Sequence, residues 1–335
     1  MGKTYRDLRK EVWETGICSG CGACTGVCPA DAIIFPEGEG GDHPLHTGYC
    51  KEVDDSVECG ACYAACPRTE AATEEGTLGS YEEIISAQAA FAVPGRQSGG
   101  AVTAILRNAF EEGLIDGVIT VGQDPWTLEP HATVITDREA IVRHAGSRYS
   151  WWVPTLAVLK EAVIRRHLRK IAVVGVPCVA SAVRALRSGD NDLLKPYGEA
   201  VRLSVGLFCT ESFDYRKLVQ EVIRDEYRIE NWEIRQMDIR GVLEITTLDD
   251  RKTEIPLKAL EACVRPGCHH CTDLTAEDAD ISAGSIGSPK DYTTLIIRNS
   301  RGSGFVERAV KNGLLVAGDS VDKGVIEKLA EQKRG

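Results

Sequence analysis

From about residue 83 onward, apolar residues fall into short runs of strand length, separated by stretches in which they recur every three or four positions. The runs predict strands over Glu83 to Ala90, Ile115 to Val121, Ala132 to Thr136, Lys170 to Val174, Val201 to Cys209, Ile234 to Ile239, Leu243 to Leu248 and Thr294 to Ile297. Val102, Ile105, Leu106, Ala109 and Phe110 share one face of a helix that begins near Gly100. A second helix is predicted over Pro154 to Leu168, with Leu156, Leu159, Ala162 and Val163 inward and Lys160, Arg165, Arg166 and Arg169 largely outward. Strands alternating with helices predict an α/β domain, a mixed sheet with flanking helices.

The first 80 residues lack this periodicity. They are rich in Gly and acidic residues and hold eight of the thirteen cysteines. This predicts a small α+β ferredoxin-like domain over residues 1–80, nucleated by metal clusters, followed by the α/β domain over 81–335. The polar stretch Arg68 to Tyr81 reads as the linker.

Composition narrows the class. At 335 residues, 43% hydrophobic and 27% charged, the chain can bury more than one core. A formal net charge of -11 argues against a general nucleic-acid binder, which draws on clustered Lys and Arg. The nearest approach to a membrane span, Ile171 to Val183, is too short and is broken by Gly175, Pro177 and Ser181. Met1 to Glu11 is charged and lacks the apolar core of a signal peptide. The expected location is the cytoplasm, with peripheral attachment to a membrane complex left open. In a reducing compartment thirteen cysteines read as metal ligands rather than disulfides.

Their spacing is specific. Cys18, Cys21, Cys24 and Cys28-Pro29 form the bacterial ferredoxin run, in which three thiolates wrap one 4Fe–4S cube and the fourth points to a second. Zinc sites do not need the third pair or the terminal Cys-Pro. Cys50, Cys59, Cys62 and Cys66-Pro67 repeat the pattern, except that eight residues separate the first two. The simplest exchange assigns Cys18, Cys21, Cys24 and Cys66 to one cluster and Cys28, Cys50, Cys59 and Cys62 to the other, with Cys50 the weakest member because of the Lys51 to Glu58 insert. Cys178 and Cys209 follow predicted strands, and Cys268 and Cys271 form a Cys-x-x-Cys. These four are candidate ligands of a third cluster; Cys263, on a predicted helix, reads as a buried free thiol.

Residues 83–318 resemble the family of β-subunits of coenzyme F420 hydrogenases and dehydrogenases. The resemblance rests on Ser98-Gly-Gly-Ala-Val-Thr103, Gly113-Leu-Ile-Asp-Gly117, Ala145-Gly-Ser-Arg-Tyr-Ser150, Gly175-Val-Pro-Cys178, Gly206-Leu-Phe-Cys209, Cys268-His-His-Cys271-Thr-Asp273 and Ala279-Asp-Ile-Ser-Ala-Gly284-Ser-Ile-Gly287. It implies FAD, a 4Fe–4S cluster and hydride exchange with F420. The two-cluster front domain resembles the electron-input subunit of membrane-bound F420 dehydrogenases, which oxidise the reduced coenzyme.

A deazaflavin gives two electrons as a hydride and an iron–sulfur cube takes one, so a flavin must stand between them. With no Gly-x-Gly-x-x-Gly turn in the chain, the resemblance implies that FAD is held by Ser98, Gly99, Gly100 and Thr103 at a helix start, by Gly146, Ser147, Arg148 and Tyr149, and by Ser285 and Gly287. For the first loop the competing reading is a plain turn capped by Ser98. Arg143, Lys160, Arg165, Arg166, Arg169 and Lys170 form the densest basic region, a candidate for the anionic F420 tail or a solvated helix face. His269 and His270 read as loop residues, and Trp151 and Trp152 as core packing or a ring stack. No catalytic acid, base or nucleophile is expected, because hydride transfer between stacked rings depends chiefly on positioning.

The expected function is oxidation of reduced F420 through FAD and three 4Fe–4S clusters, with single electrons passed to a partner redox protein or complex. Three alternatives stand beside it: the reverse reaction as a subunit of a hydrogenase or formate dehydrogenase, reduction of a different small molecule, and a flavin-free electron-transfer adaptor.

Overall fold

The computed structural model describes residues 2–36, 43–69, 76–150, 152–239, 241–318 and 320–335. The front region holds a helical run over residues 5–13, the short helix Ala23–Val27, a two-stranded hairpin of β1 (Ile33–Ile34) and β2 (Leu45–His46), and the helices Lys51–Asp55 and Ala61–Ala64. Part of the expected linker, residues 70–75, lies outside the described residues. Its remainder is not wholly polar, because Leu78 is buried against Leu274, Ile326 and Ala330.

An eight-stranded mixed sheet forms the main layer. It is built from β3 (Glu83–Ala89), β4 (Gly117–Gln123), β5 (Pro130–Ile135), β6 (Ile171–Gly175) and β7 (Val201–Leu207). Beyond a separate antiparallel sheet of β8 (Ile234–Ile239), β9 (Val242–Thr247) and β10 (Lys252–Pro256), the chain returns to add β11 (Ile281–Gly284), β12 (Thr293–Ile297) and β13 (Leu315–Gly318). The order across the main sheet is β13-β3-β12-β11-β7-β6-β4-β5. Strands β4, β6, β7 and β11 run parallel, and the others join antiparallel.

Strand β6 is buried along its whole length, so its near-continuous apolar run fits a central strand covered on both faces. Its alternation sorts the two cores. Ile171 and Val173 face a layer with Leu156, Leu159, Ala162 and Val163 and with Val179, Val183 and Leu186 of the helix Pro177–Ser188. Ala172 and Val174 face Ala101, Ala104, Ile105 and Ala109 of the helix Ala101–Glu111, and Val306 and Ala309 of the helix Ser300–Lys311. The small sheet closes its own core with Leu218, Val222 and Ile223 of the helical segment Arg216–Glu226.

The first of these cores does not stop at the expected boundary near residue 80. It includes Cys21, Ala23, Val27, Ala61 and Ala65 of the front region. Glycines permit the approach: a Cβ on Gly22 would lie 2.6 Å from the Pro154 carbonyl oxygen, and one on Gly26 would strike the carbonyl of Leu156. Lys160, expected to face outward, instead donates to the Cys28 carbonyl and pairs with Asp31 across the same seam. The reason is positional. The front region covers that part of the helix, and a long side chain there can reach its polar groups.

Candidate metal centres and cofactor loops

The eight front-region cysteines sort into two sets of four. Cys18, Cys24, Cys28, Cys62 and Cys66 are buried with Leu8, Val12, Trp13, Ala32 and Ile33 in one small core, so the thiols take the place of much of its apolar packing. Burial pushes the thiols of Cys21 and Cys66 up to about 12, and each also feels Cys18 as an electrostatic neighbour. Cys24 is raised in the same way by burial and then by Cys21, Cys66 and Cys18. A second pocket is lined by Cys28, Cys50, Cys59 and Cys62, together with Tyr5, Ile33, His46 and Tyr49. Burial pushes Cys62 up to about 12, with Cys28, Cys59 and Cys50 as further causes.

Cys50 is thus brought to the set in spite of its insert, and the insert itself explains how. Glu52, nearly fully buried, accepts from the backbone amides of Cys59 and Gly60 at 3.1 and 2.9 Å, while Asp54 accepts from the Cys50 amide at 2.6 Å. These acidic side chains fix the backbones of the residues that flank the insert.

A third cavity lies where the front region meets the carboxyl edge of the main sheet. Four thiols of the main domain line it: Cys178 in the first turn after β6, Cys209 just beyond β7, and Cys268 and Cys271 from the turn Pro266–His270 and its end. Cys21 and Gly20 from the front region line its near side. Burial raises Cys178, Cys209 and Cys268, with neighbouring thiols adding to the shift for each. Cys263 is buried elsewhere, in the core of the small sheet, and burial takes its thiol up to about 11. Among the described residues, no three His, Cys, Asp or Glu side chains converge on a position for a single metal ion. Cys28, Cys50, Cys59 and Cys62 line one cavity and Cys178, Cys209, Cys268 and Cys271 another, while Cys18, Cys21, Cys24 and Cys66 are electrostatic neighbours. A donor set of four cysteines is the chemistry that a 4Fe–4S cube requires, and protons displaced from such buried thiols would accompany its binding.

Charged side chains that spacing alone could not have identified complete the cavity. Arg265 is almost wholly buried, its guanidinium 4.5 Å from the Trp152 ring centroid and packed against Gly20. Arg68 donates to the carbonyls of His270 and Gly267 at 3.0 and 3.2 Å. Lys333, from the last turn of the helix Lys323–Arg334, donates to the carbonyls of Cys209 and Asp273, both at 2.6 Å. His269 and His270 are exposed on their turn. Trp152 is a cavity wall rather than interior packing, and Trp151 lies outside the described residues.

The loops expected to hold the flavin gather at the same sheet edge. Gly146 (φ +116°) packs so closely on Gly95 that a Cβ would lie 2.9 Å from the Gly95 carbonyl oxygen. Gln97 donates to the Tyr149 hydroxyl at 2.8 Å and to Asp238, tying both loops to β8. Ser98 shares a 2.9 Å hydrogen bond with Thr293 at the start of β12, whose next residue, Thr294, donates to the Ile286 carbonyl at 2.7 Å. Ser98, Gly99, Gly100, Thr103, Gly146, Ser147, Arg148, Tyr149, Ser285 and Gly287 therefore belong to loops and element ends that meet around β3, β11 and β12. Gly100 (φ +72°) precedes the helix Ala101–Glu111 without a side-chain cap, so Ser98 is not the capping residue of a plain helix start. Arg148 donates to the carbonyls of His144 and Gly146, yet its Nε is buried with no hydrogen-bond partner among the described residues. A buried, unsatisfied guanidinium nitrogen fits an anionic or carbonyl-bearing ligand at this loop.

The basic region is largely committed to local partners. Arg165 and Arg166 pair with Glu161, Arg143 pairs with Asp137, and Lys170 donates to the Gly113 carbonyl. Most of it is a solvated face.

Comparison with known proteins adds an independent line. The family model for the C terminus of the coenzyme F420 hydrogenase/dehydrogenase beta subunit matches residues 168–323, and its N-terminal counterpart matches residues 84–160. A 4Fe–4S binding domain model matches residues 11–34. The coenzyme F420-dependent sulfite reductase of Methanocaldococcus jannaschii is 33% identical over 98% of this chain, which spans only 51% of that enzyme. One of the subunits of the F(420)H(2) dehydrogenase of Methanosarcina mazei is 29% identical, over 97% of this chain and 91% of its own. A chain of the F420-reducing NiFe hydrogenase complex from Methanosarcina barkeri superimposes with a TM-score of 0.72 at 33% identity, covering 78% of this chain and 92% of that one. Among the described residues, no helix is long and apolar enough to cross a membrane.

Proposed function

Because the chain belongs to the family of coenzyme F420 hydrogenase/dehydrogenase beta subunits, we propose that it oxidises reduced F420 at a bound FAD and delivers single electrons through three 4Fe–4S clusters to a partner redox protein. The observation that carries this reading is the row of three four-cysteine sets. Cys21 of the first front-region set also lines the third cavity, and Cys62 of the other set is an electrostatic neighbour of Cys24 and Cys66. A relay needs adjacent stations, and this placement supports one. Bound at its loops, the flavin would supply the exchange between a two-electron hydride and one-electron carriers.

The chain's own residues hold and shield. Gly99 and Gly146 let the loop backbones pack on Ala87, Thr293 and Gly95, and Arg148 supplies a buried donor. Val153, Val176 and Val179 help to line the third cavity with apolar surface, which keeps solvent from the cluster position. The F(420)H(2) dehydrogenase relative that matches across nearly the whole chain supports the dehydrogenase direction. The partial coverage of the sulfite reductase supports a module that feeds different acceptors.

The deciding experiment is anaerobic reconstitution followed by titration with reduced F420, while flavin and cluster absorbance are recorded together. About twelve irons and one FAD per chain, with both chromophores bleaching, is the expected result for three cubes. Bleaching by NADH and not by reduced F420 would overturn the substrate. Iron without flavin would reduce the protein to an electron-transfer adaptor.

A further inference from the structure

Resting on the third-cluster reading, we propose that Lys333 is a positioning cation that makes the cluster at Cys178, Cys209, Cys268 and Cys271 easier to reduce. The C-terminal helix brings it there. Asp322 caps the helix start at the Val325 amide, Ile326 and Ala330 are buried, and Arg334 pairs with Glu277 at 2.8 Å. The ammonium is therefore placed by a docked element rather than by a flexible tail. Its two short bonds to the carbonyls of Cys209 and Asp273 leave it inside the cavity wall.

Charge bookkeeping around the cavity is uneven. Arg68, Arg265 and Lys333 line it against one acid, Glu211. Arg265 lies toward the front region beside Gly20, and Arg68 reaches over from it. Lys333 stands on the main-domain side, with Cys209, Cys271, Asp273 and Cys268 among its electrostatic neighbours. Reduction adds one negative charge to a cluster, so a fixed cation in a poorly solvated wall stabilises the reduced form more than the oxidised one. The hydrogen bond to the Cys209 carbonyl also orients the loop that carries that thiol. Lys333 need not touch the cluster to act on it. The consequence is directional, since a receptive third cluster draws electrons away from the flavin loops.

The test is a redox titration of the reconstituted full-length chain, followed by electron paramagnetic resonance, for the parent, Lys333→Gln and Lys333→Arg. The relevant signal is the one that disappears in Cys178→Ala. In Lys333→Gln we expect its one-electron reduction constant to fall about tenfold, which is about 59 mV, while Lys333→Arg keeps the parent potential. An unchanged potential in Lys333→Gln with full iron overturns the inference. So does loss of about four irons in that variant, which would make Lys333 a structural clamp. A parent chain holding only about eight irons, as for two cubes, instead sinks the third-cluster reading itself.

Discussion

Arg148 shows how much one side chain can say about an absent ligand. Its Nη1 is spent on two loop carbonyls while its Nε is buried without a partner among the described residues, and burial lowers its pKa, so the chain accepts a cost to keep it there. A hydrogen bond from a charged donor is worth about 1.5–3 kcal/mol. Arg148→Gln is therefore expected to weaken FAD retention by about tenfold or more, read as flavin lost on desalting, with iron content unchanged. The front-region cysteines and Cys268 with Cys271 were proposed as metal ligands from spacing, because a cube dictates short intervals between thiols, and Cys178 and Cys209 from their places at strand ends. Lys333, Arg265 and Glu52 were not legible in the sequence. Lys333 and Glu52 act on cysteines distant in sequence or across an insert, Arg265 packs on Gly20 and Trp152 far from it in the chain, and a lone charged residue carries no spacing signal.

Elements were legible where periodicity was long or burial complete. The helix Ala101–Glu111 and strands β3, β4, β6, β7 and β8 lie close to their predicted positions. Strands β11 and β13 were missed because Ile-Ser-Ala-Gly and Leu-Val-Ala-Gly are too short and too small-residue-rich to stand out. Yet β11 leads directly into the Ser285 to Gly287 loop. The C-terminal helix leaves a pH signature of its own. Burial first, and then Asp273, raise Glu277 from 4.5 to about 7 despite its pairing with Arg334. The folded chain then holds a proton that the unfolded chain has released, so stability should fall as pH rises from about 4.5 to about 7. Thermal melts of the apo chain across that interval should show the slope, and Glu277→Gln should flatten it.

At the scale of the whole molecule, the proposed relay puts the third cavity at the junction of the three four-cysteine sets. Cys178→Ala should therefore separate the two halves of the reaction. Reduced F420 should still bleach the flavin, while the front-region clusters stay oxidised over the parent's bleaching time, followed by stopped-flow absorbance. Full cluster bleaching at the parent rate would show that electrons bypass the junction. The change of pattern near residue 80 was legible in the sequence. The continuity across it was not, because Ala23, Val27, Ala61 and Ala65 look like filler between cysteines until they are seen against Leu156 and Val163.

That shared core ties iron supply to the life of the chain in the cell. The short helices carrying Ala23, Val27, Ala61 and Ala65 are spaced by cysteines, which share their small core with Leu8, Val12, Trp13, Ala32 and Ile33. A newly made chain that receives no iron leaves a face of its main sheet poorly covered, because metal binding and folding draw on the same free energy. Iron starvation would then mark the entire polypeptide for quality control, including the half that touches no front-region cluster, and so keep partly loaded copies out of the electron-transfer chain.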